Sequence, residues 1–225
     1  FGTLRVAGSV IWATDLIEHR HREGGKGRPT TTSYSYTASF AVALSARPIV
    51  AVGRIWADGK LLRGAAGDWK AATGFRLHLG GEDQAAAPLI ASAEGLALAP
   101  AHRGVAYAVF EDLELADFGN RIPSLTFEVL ADAGDVEAGA IVAAATDGLV
   151  SAGTATTAIR GFSAYGGSRR AVVEPLVQAI GAWPTLSGAG MALAAGAGIA
   201  ASVVDAGIRP GGGAARHRSI AAADR

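Results

Sequence analysis

The chain is 225 residues long, half apolar by composition, with 20 basic and 20 acidic side chains and no cysteine. That apolar content buries a real core and excludes a disordered polymer, and the length accommodates one large domain or two small ones. A zero formal net charge excludes a long-range pull on nucleic acid or an anionic membrane, and the missing cysteines exclude disulfides, thiolate nucleophiles and thiolate-held metals.

The chain opens on Phe1 inside a strand-like run, has Met191 as its single methionine and shows no basic-then-apolar leader, so it reads as a piece of a longer polypeptide. "TLRVAGSVIW" is the first β segment. "EHRHREGGKGRPTTT", residues 18 to 32, is charged and Gly-rich and predicts a mobile surface loop. In "SYSYTASFAVAL" Tyr34, Tyr36, Phe40, Val42 and Leu44 alternate with small polar residues, the period-two signature of a half-buried strand. "RPIVAVGRIWADGKLL" continues the pattern around Asp58-Gly59, a dipeptide suited to the positive φ angles of a tight hairpin. "FRLHL", "GVAYAVF" and "LTFEVL" add further strands. Between them "GEDQAAAPLIASAEG" predicts a short helix starting at Pro88 and closed by Gly95. The front half is therefore a sheet-rich barrel or sandwich.

The texture changes after Leu130. "DVEAGAIVAAATDGL" predicts an Ala-rich helix with Asp135 as N-cap and Gly148 beyond its end, and "TATTAIRGFSAY" predicts a strand. "SRRAVVEPLVQAIG" puts Val172, Leu176 and Ile180 at helical spacing behind Ser168 as cap, with Pro175 forcing either a kink or a start near Glu174. Residues 175–204 carry no charge, yet "SGAGMALAAGAGIAAS" is mostly Gly, Ala and Ser, so no membrane span is expected. "RPGGGAARHRSIAAADR" has the composition of a flexible tail or linker.

The densest chemistry is "YAVFEDLELADFGNRIPSLTFEVL", with Glu111, Asp112, Glu114 and Asp117 within one short stretch. A pair of acids can run glycan hydrolysis when set across a cleft, about 5–10 Å apart. The residues also fit a loop leaving a strand that ends at Phe110, anchored by Leu113, Leu115 and Phe118, with Asp117 capping a Gly119-Asn120 turn. His19 and His21 can share a strand face but lack a third metal ligand and sit among arginines, and "GGKGRPT" misses the phosphate-loop pattern. His78 and His102 have no nucleophile partner at a telling spacing. Trp12 and Trp56 read as core aromatics. Trp69, in "GDWKAATG", reads as an exposed loop residue able to stack on a sugar ring, which motivates a carbohydrate- or receptor-binding alternative. No catalytic, cofactor or metal residue is assigned.

"GVAYAVFEDLELADFGNRIPSLTFEVL", with "RVAGSVIWATDL", "YSYTASFAVAL" and "GRIWADGK", resembles the tail-tip hub proteins of gene transfer agents and related siphophages, a family also labelled phage tail or host-specificity protein. The likeness spans residues 1 to 130 and departs at Glu114, where the family pattern carries proline. "IRGFSAY" and "SRRAVVEPLVQAI" resemble the α/β segment inserted after the first hub barrel. The resemblance implies a mainly β, α+β chain: a hub barrel or sandwich over 1–131, a small α+β segment over 132–204 and a tail over 205–225. It implies a non-enzymatic virion protein without cofactor, assembled in the bacterial cytoplasm into a trimeric ring at the tail tip, beside distal tail, tape-measure and hub proteins and near a cell-surface glycan. Glu111, Asp112, Asp117, Asn120 and Arg121 are then structural or interface residues, with Arg121 available to pair an acid across a subunit contact.

Overall fold

The structure, a computed structural model, describes residues 1–24, 31–187 and 190–194. The chain divides into two compact units, Phe1–Asp135 and Val136–Arg225. In the first, the strands are β1 (Thr3–Ala7), β2 (Ser9–Ala13), β3 (Ile17–Glu23), β4 (Thr31–Ser45), β5 (Ala51–Ala57), β6 (Lys60–Arg63), β7 (Gly74–His78), β8 (Ala106–Glu114) and β9 (Leu125–Leu130), with helix α1 (Pro88–Glu94) between β7 and β8. They form two antiparallel sheets, ordered β1-β9-β5-β6 and β2-β4-β8-β7, with β3 also paired to β4.

The period-two pattern decides what fills the space between the sheets. Along β9 Leu125, Phe127 and Val129 are buried while their neighbours are half-buried. They meet Phe40, Phe110, Ile55, Leu62 and Leu113 in one core, with Phe40 stacked on Phe110 at 5.0 Å between ring centres. Burying each such side chain contributes about 1.5–3 kcal/mol before the entropy of ordering it. The other side of β4 and β8 packs Ala41, Tyr107 and Val109 against Ile90 of α1. As its sequence predicts, α1 begins on Pro88 and ends at Gly95, whose φ of 91° suits glycine.

Two short signals shape the chain path. At Gly8 the backbone leaves one sheet for the other, and its N–H donates to the Leu125 carbonyl at 3.0 Å. A Cβ there would overlap Val42 Cγ1 and stand 2.8 Å from Phe127 Cε2, so only glycine fits. Asp58 and Gly59, at φ 47° and 82°, form the expected hairpin turn between β5 and β6.

Residues 18 to 32 differ from the mobile loop that their composition predicts. Ile17–Glu23 pairs in register with Thr31–Thr37, from Ile17 opposite Thr37 to Glu23 opposite Thr31, so both flanks of the segment are strand. Its backbone is held by the ladder rather than by an apolar face, which is why charged residues tolerate it. Residues 25–30, with most of "GGKGRPT", lie outside the described residues.

The second unit contains α2 (Ala138–Ala145), α3 (Arg169–Ala179) and five short strands: β10 (Val136–Glu137), β11 (Val150–Ser151), β12 (Ala158–Ile159), β13 (Trp183–Ser187) and β14 (Gly190–Ala194). β10 pairs with β12, and β14 joins β11 in parallel and β13 in antiparallel sense. Ile141, Val142, Leu176, Ile180 and Leu193 are buried. The N-cap of α2 is Glu137 rather than Asp135. The strand expected over "TATTAIRGFSAY" shrinks to Ala158–Ile159. α3 begins behind Ser168, whose hydroxyl accepts from Ala171 N–H at 3.2 Å, and runs through Pro175, with buried Leu176 and Ile180 offsetting the lost backbone bond. Among the described residues no helix is long and apolar enough to cross a membrane. The tail over 205–225 lies outside the described residues.

Candidate functional site

β8 does not end at Phe110; it continues through the acidic residues to Glu114. Leu113 pairs with Ala38 and Phe110 with Phe40, so two residues, Glu111 and Asp112, face the single Ser39 of β4. This is a β-bulge, and its extra residue Asp112 takes a left-handed φ of 51°. The bulge resets the alternation so that Leu113 enters the core while Glu111 and Glu114 stay exposed. Buried Ser39 closes it: its Oγ accepts from Asp112 N–H at 3.0 Å and donates to Asp112 Oδ1 at 3.3 Å.

The following turn is closed by backbone, not by the Asp117 carboxylate. Ala116–Phe118 form one 3-10 turn, and the Leu115 carbonyl accepts from both Phe118 and Asn120 N–H groups. Gly119 and Asn120 follow at φ 66° and 54°. Arg121 donates to Asp58 Oδ2 at 2.9 Å, and Asp58 Oδ1 accepts from Ser124 N–H at 2.9 Å. The arginine is thus engaged inside its own chain, tying the turn after β8 to the β5–β6 hairpin. Because 60% of its side chain is exposed, this ion pair adds little stability.

As chemistry, the acidic stretch is open. Glu111, Asp112, Glu114 and Asp117 are all exposed. Among the described residues no three His, Asp or Glu side chains come together to hold a metal. His19 Nε2 bonds Thr37 Oγ1 at 2.9 Å and His21 Nε2 bonds Ser35 Oγ at 2.8 Å, so each imidazole is occupied across its own hairpin.

Trp69 differs from its expected exposure. It is half-buried, with its ring 5.1 Å from Phe75 and 6.2 Å edge-on to Phe110, and Arg63 lies over it at 5.8 Å. These neighbours come from β6, β7 and β8. Trp12 is half-buried against the smaller core of Ala41, Ile90, Tyr107 and Val109, and Trp56 is half-buried away from the central core. Trp12 Nε1 donates to Glu94 Oε1 at 2.8 Å, and Trp56 is capped by the Arg5 guanidinium at 3.9 Å.

The feature that composition hid is the projecting ribbon of β3 and the first half of β4. By strand alternation one face holds His19, His21, Ser33, Ser35 and Thr37, and the other holds Glu18, Arg20, Arg22, Tyr34 and Tyr36. Tyr36 Oη donates to Glu18 Oε2 at 3.0 Å, which holds the phenol above its usual range. β2 and β3 together present a strand edge that pairs with nothing on its outer side among the described residues. Along it Val10, Ile11, Leu16 and Ile17 are exposed at 52, 37, 44 and 48%. The alternation in "EHRHRE" and "TTSYSYT" was the available signal for this ribbon.

No family model and no curated protein matches the chain. Among solved structures it is similar to a chain of the virion of a native gene transfer agent particle, at 30% identity and a TM-score of 0.63. The likeness covers 81% of this chain and 48% of that one, so the present chain spans about half its length. Sequence and fold together support a phage-like virion structural protein with a β-rich α+β fold.

Proposed function

We propose that this chain is a structural part of a tail-tip hub, and that it acts by closing a ring with copies of itself. The observation that carries the reading is the edge of β2 and β3, with four exposed apolar side chains and no strand paired to its outer side among the described residues, leading into a ribbon that β8 meets only at its base. Unpaired edges bearing apolar residues are pairing sites unless covered, and monomers blunt them. A ring covers every such edge with the next subunit. The likeness to a gene transfer agent virion supports this use, and the tail tip is the position the hub resemblance implies.

In this reading Ser39, Asp112, Asn120 and Arg121 hold β8 and its turn in shape, while Glu111, Glu114 and Asp117 face outward. No chemical step is assigned to them. Gold-labelled antibody against this chain, imaged on intact particles, should mark the end of the tail. Label on the head or along the tube would refute the placement.

A further inference from the structure

We infer that the ribbon of one copy docks its basic face on the acidic strip of a neighbouring copy, Arg20 and Arg22 meeting Glu111, Glu114 and Asp117. This rests on the ring reading above and names the contact within it. All five side chains are exposed, and among the described residues none of the five takes part in an ion pair. These unpaired charges of opposite sign lie on separate surfaces of a chain of zero net charge, with Glu18 sharing the arginine face and Arg76 the face of Glu111.

The two patches cannot satisfy each other within one chain. β8 meets the ribbon only at its base, where Glu114 pairs with Thr37 and Leu115 N–H donates to the Tyr36 carbonyl. Arg20 lies opposite Tyr34 and Arg22 opposite Thr32, so they stand three and five residues further out. At about 3.4 Å per residue, and two strand spacings of about 4.8 Å sideways, their backbones are roughly 14 and 19 Å from that of Glu114. Alternation also puts the arginines on the Tyr34 face, opposite to the face of Glu114. With a Debye length of about 8 Å, such charges barely sense each other. A second copy brings them together, since a head-to-tail contact uses one patch from each subunit, and it closes into a ring when the rotation between subunits divides a full turn. Half-exposed Tyr34, at 50% and on the same face as the two arginines, would lose water in the same contact.

The test is charge reversal and repair in the full chain, read as self-association by sedimentation velocity at low and high salt. Arg20→Glu with Arg22→Glu should weaken association roughly tenfold or more, and Glu111→Lys with Glu114→Lys should do the same. Combining all four reversals should restore it, and salt should weaken the unaltered chain. Near-unaltered association of either reversed variant would overturn this contact while leaving a ring built through another surface. Failure of the combined variant to recover would overturn the pairing. A chain monomeric at every concentration would overturn both the contact and the ring. Capture of duplex DNA that needs Arg20 and Arg22, with self-association unchanged by their reversal, would overturn the contact by reassigning the ribbon to nucleic acid. Thermal melts of each variant confirm folding, and Arg20→Ala with Arg22→Ala gives a milder version if reversal unfolds the chain.

Discussion

Replacing Asp112 by glycine should leave the protein nearly as stable as before, whereas valine at the same position should be costly. Asp112 holds a φ of 51° at the bulge opposite Ser39. A left-handed backbone costs a side-chain-bearing residue about 1–2 kcal/mol, least for Asn and Asp, and a β-branched residue is the worst fit. Valine also loses the bond from Ser39 Oγ, a net of about 1 kcal/mol. Its total loss is roughly 2–3 kcal/mol. Glycine loses the same bond but relieves the backbone, offset by about 0.5–1 kcal/mol of added freedom in the unfolded chain. The net effect stays within about 1 kcal/mol of zero. At about 2–4 °C per kcal/mol, the two variants should differ in Tm by roughly 4–8 °C. Thermal unfolding followed by circular dichroism reads this directly. Equal losses for glycine and valine would refute the backbone argument and give the carboxylate itself the larger role.

Gly8→Ala should cost about 1–3 kcal/mol through overpacking against Val42 and Phe127, and Val42→Ala in the same chain should recover part of it in a double-mutant cycle. The Arg47 guanidinium, through bonds of 2.7 and 3.0 Å, and then the Gly2 N–H hold the Asp132 carboxyl below its usual range. The stability this supplies is complete above the unfolded value of about 3.9 and is lost as pH falls through the lower folded value. Asp132→Asn should therefore cost about 1 kcal/mol at neutral pH and flatten the acid limb of a denaturation series. Burial, then Arg76 and His102, push the His78 imidazole below its usual range, and its Nε2 has no hydrogen-bond partner among the described residues. The unfolded chain then binds the proton more tightly, so stability should decline as pH drops below about 6.5. His78→Phe keeps the ring stacked on Tyr107, 4.3 Å away, and should remove that part of the decline; an unchanged slope between pH 5 and 6.5 would contradict the assignment.

Much of the sheet architecture is legible where burial is one-sided. "LTFEVL" alternates because one face meets the core, "SFAVAL" alternates large with small because one face meets that core and the other meets α1, and Asp58-Gly59 reads as a turn because few other pairs accept two positive φ angles. By the same logic the β3 side of the ribbon is hard to read. β3 has no buried face, so its strand comes from backbone pairing to β4 while its charges, and the glycines that follow it in sequence, spell a loop. In "VFEDLE" the bulge breaks the alternation, which disguises a continuing strand as a strand followed by a loop. Trp69 looks exposed from its Gly- and Asp-containing surroundings, but Phe75 and Phe110 reach it through the tertiary fold. The acidic stretch was visible at once as a concentration of charge. What it faces depends on the bulge at Asp112 and the brace from Arg121 to Asp58, which no local pattern encodes.

The central claim is that this chain works by associating with itself. Its molar mass in solution, measured by light scattering behind size exclusion over a range of loading concentrations, tests that most directly. A ring of copies requires a closed oligomer, a trimer for a hub, which dissociates as salt is raised. A single species of monomer mass at the highest soluble concentration and lowest salt would contradict it.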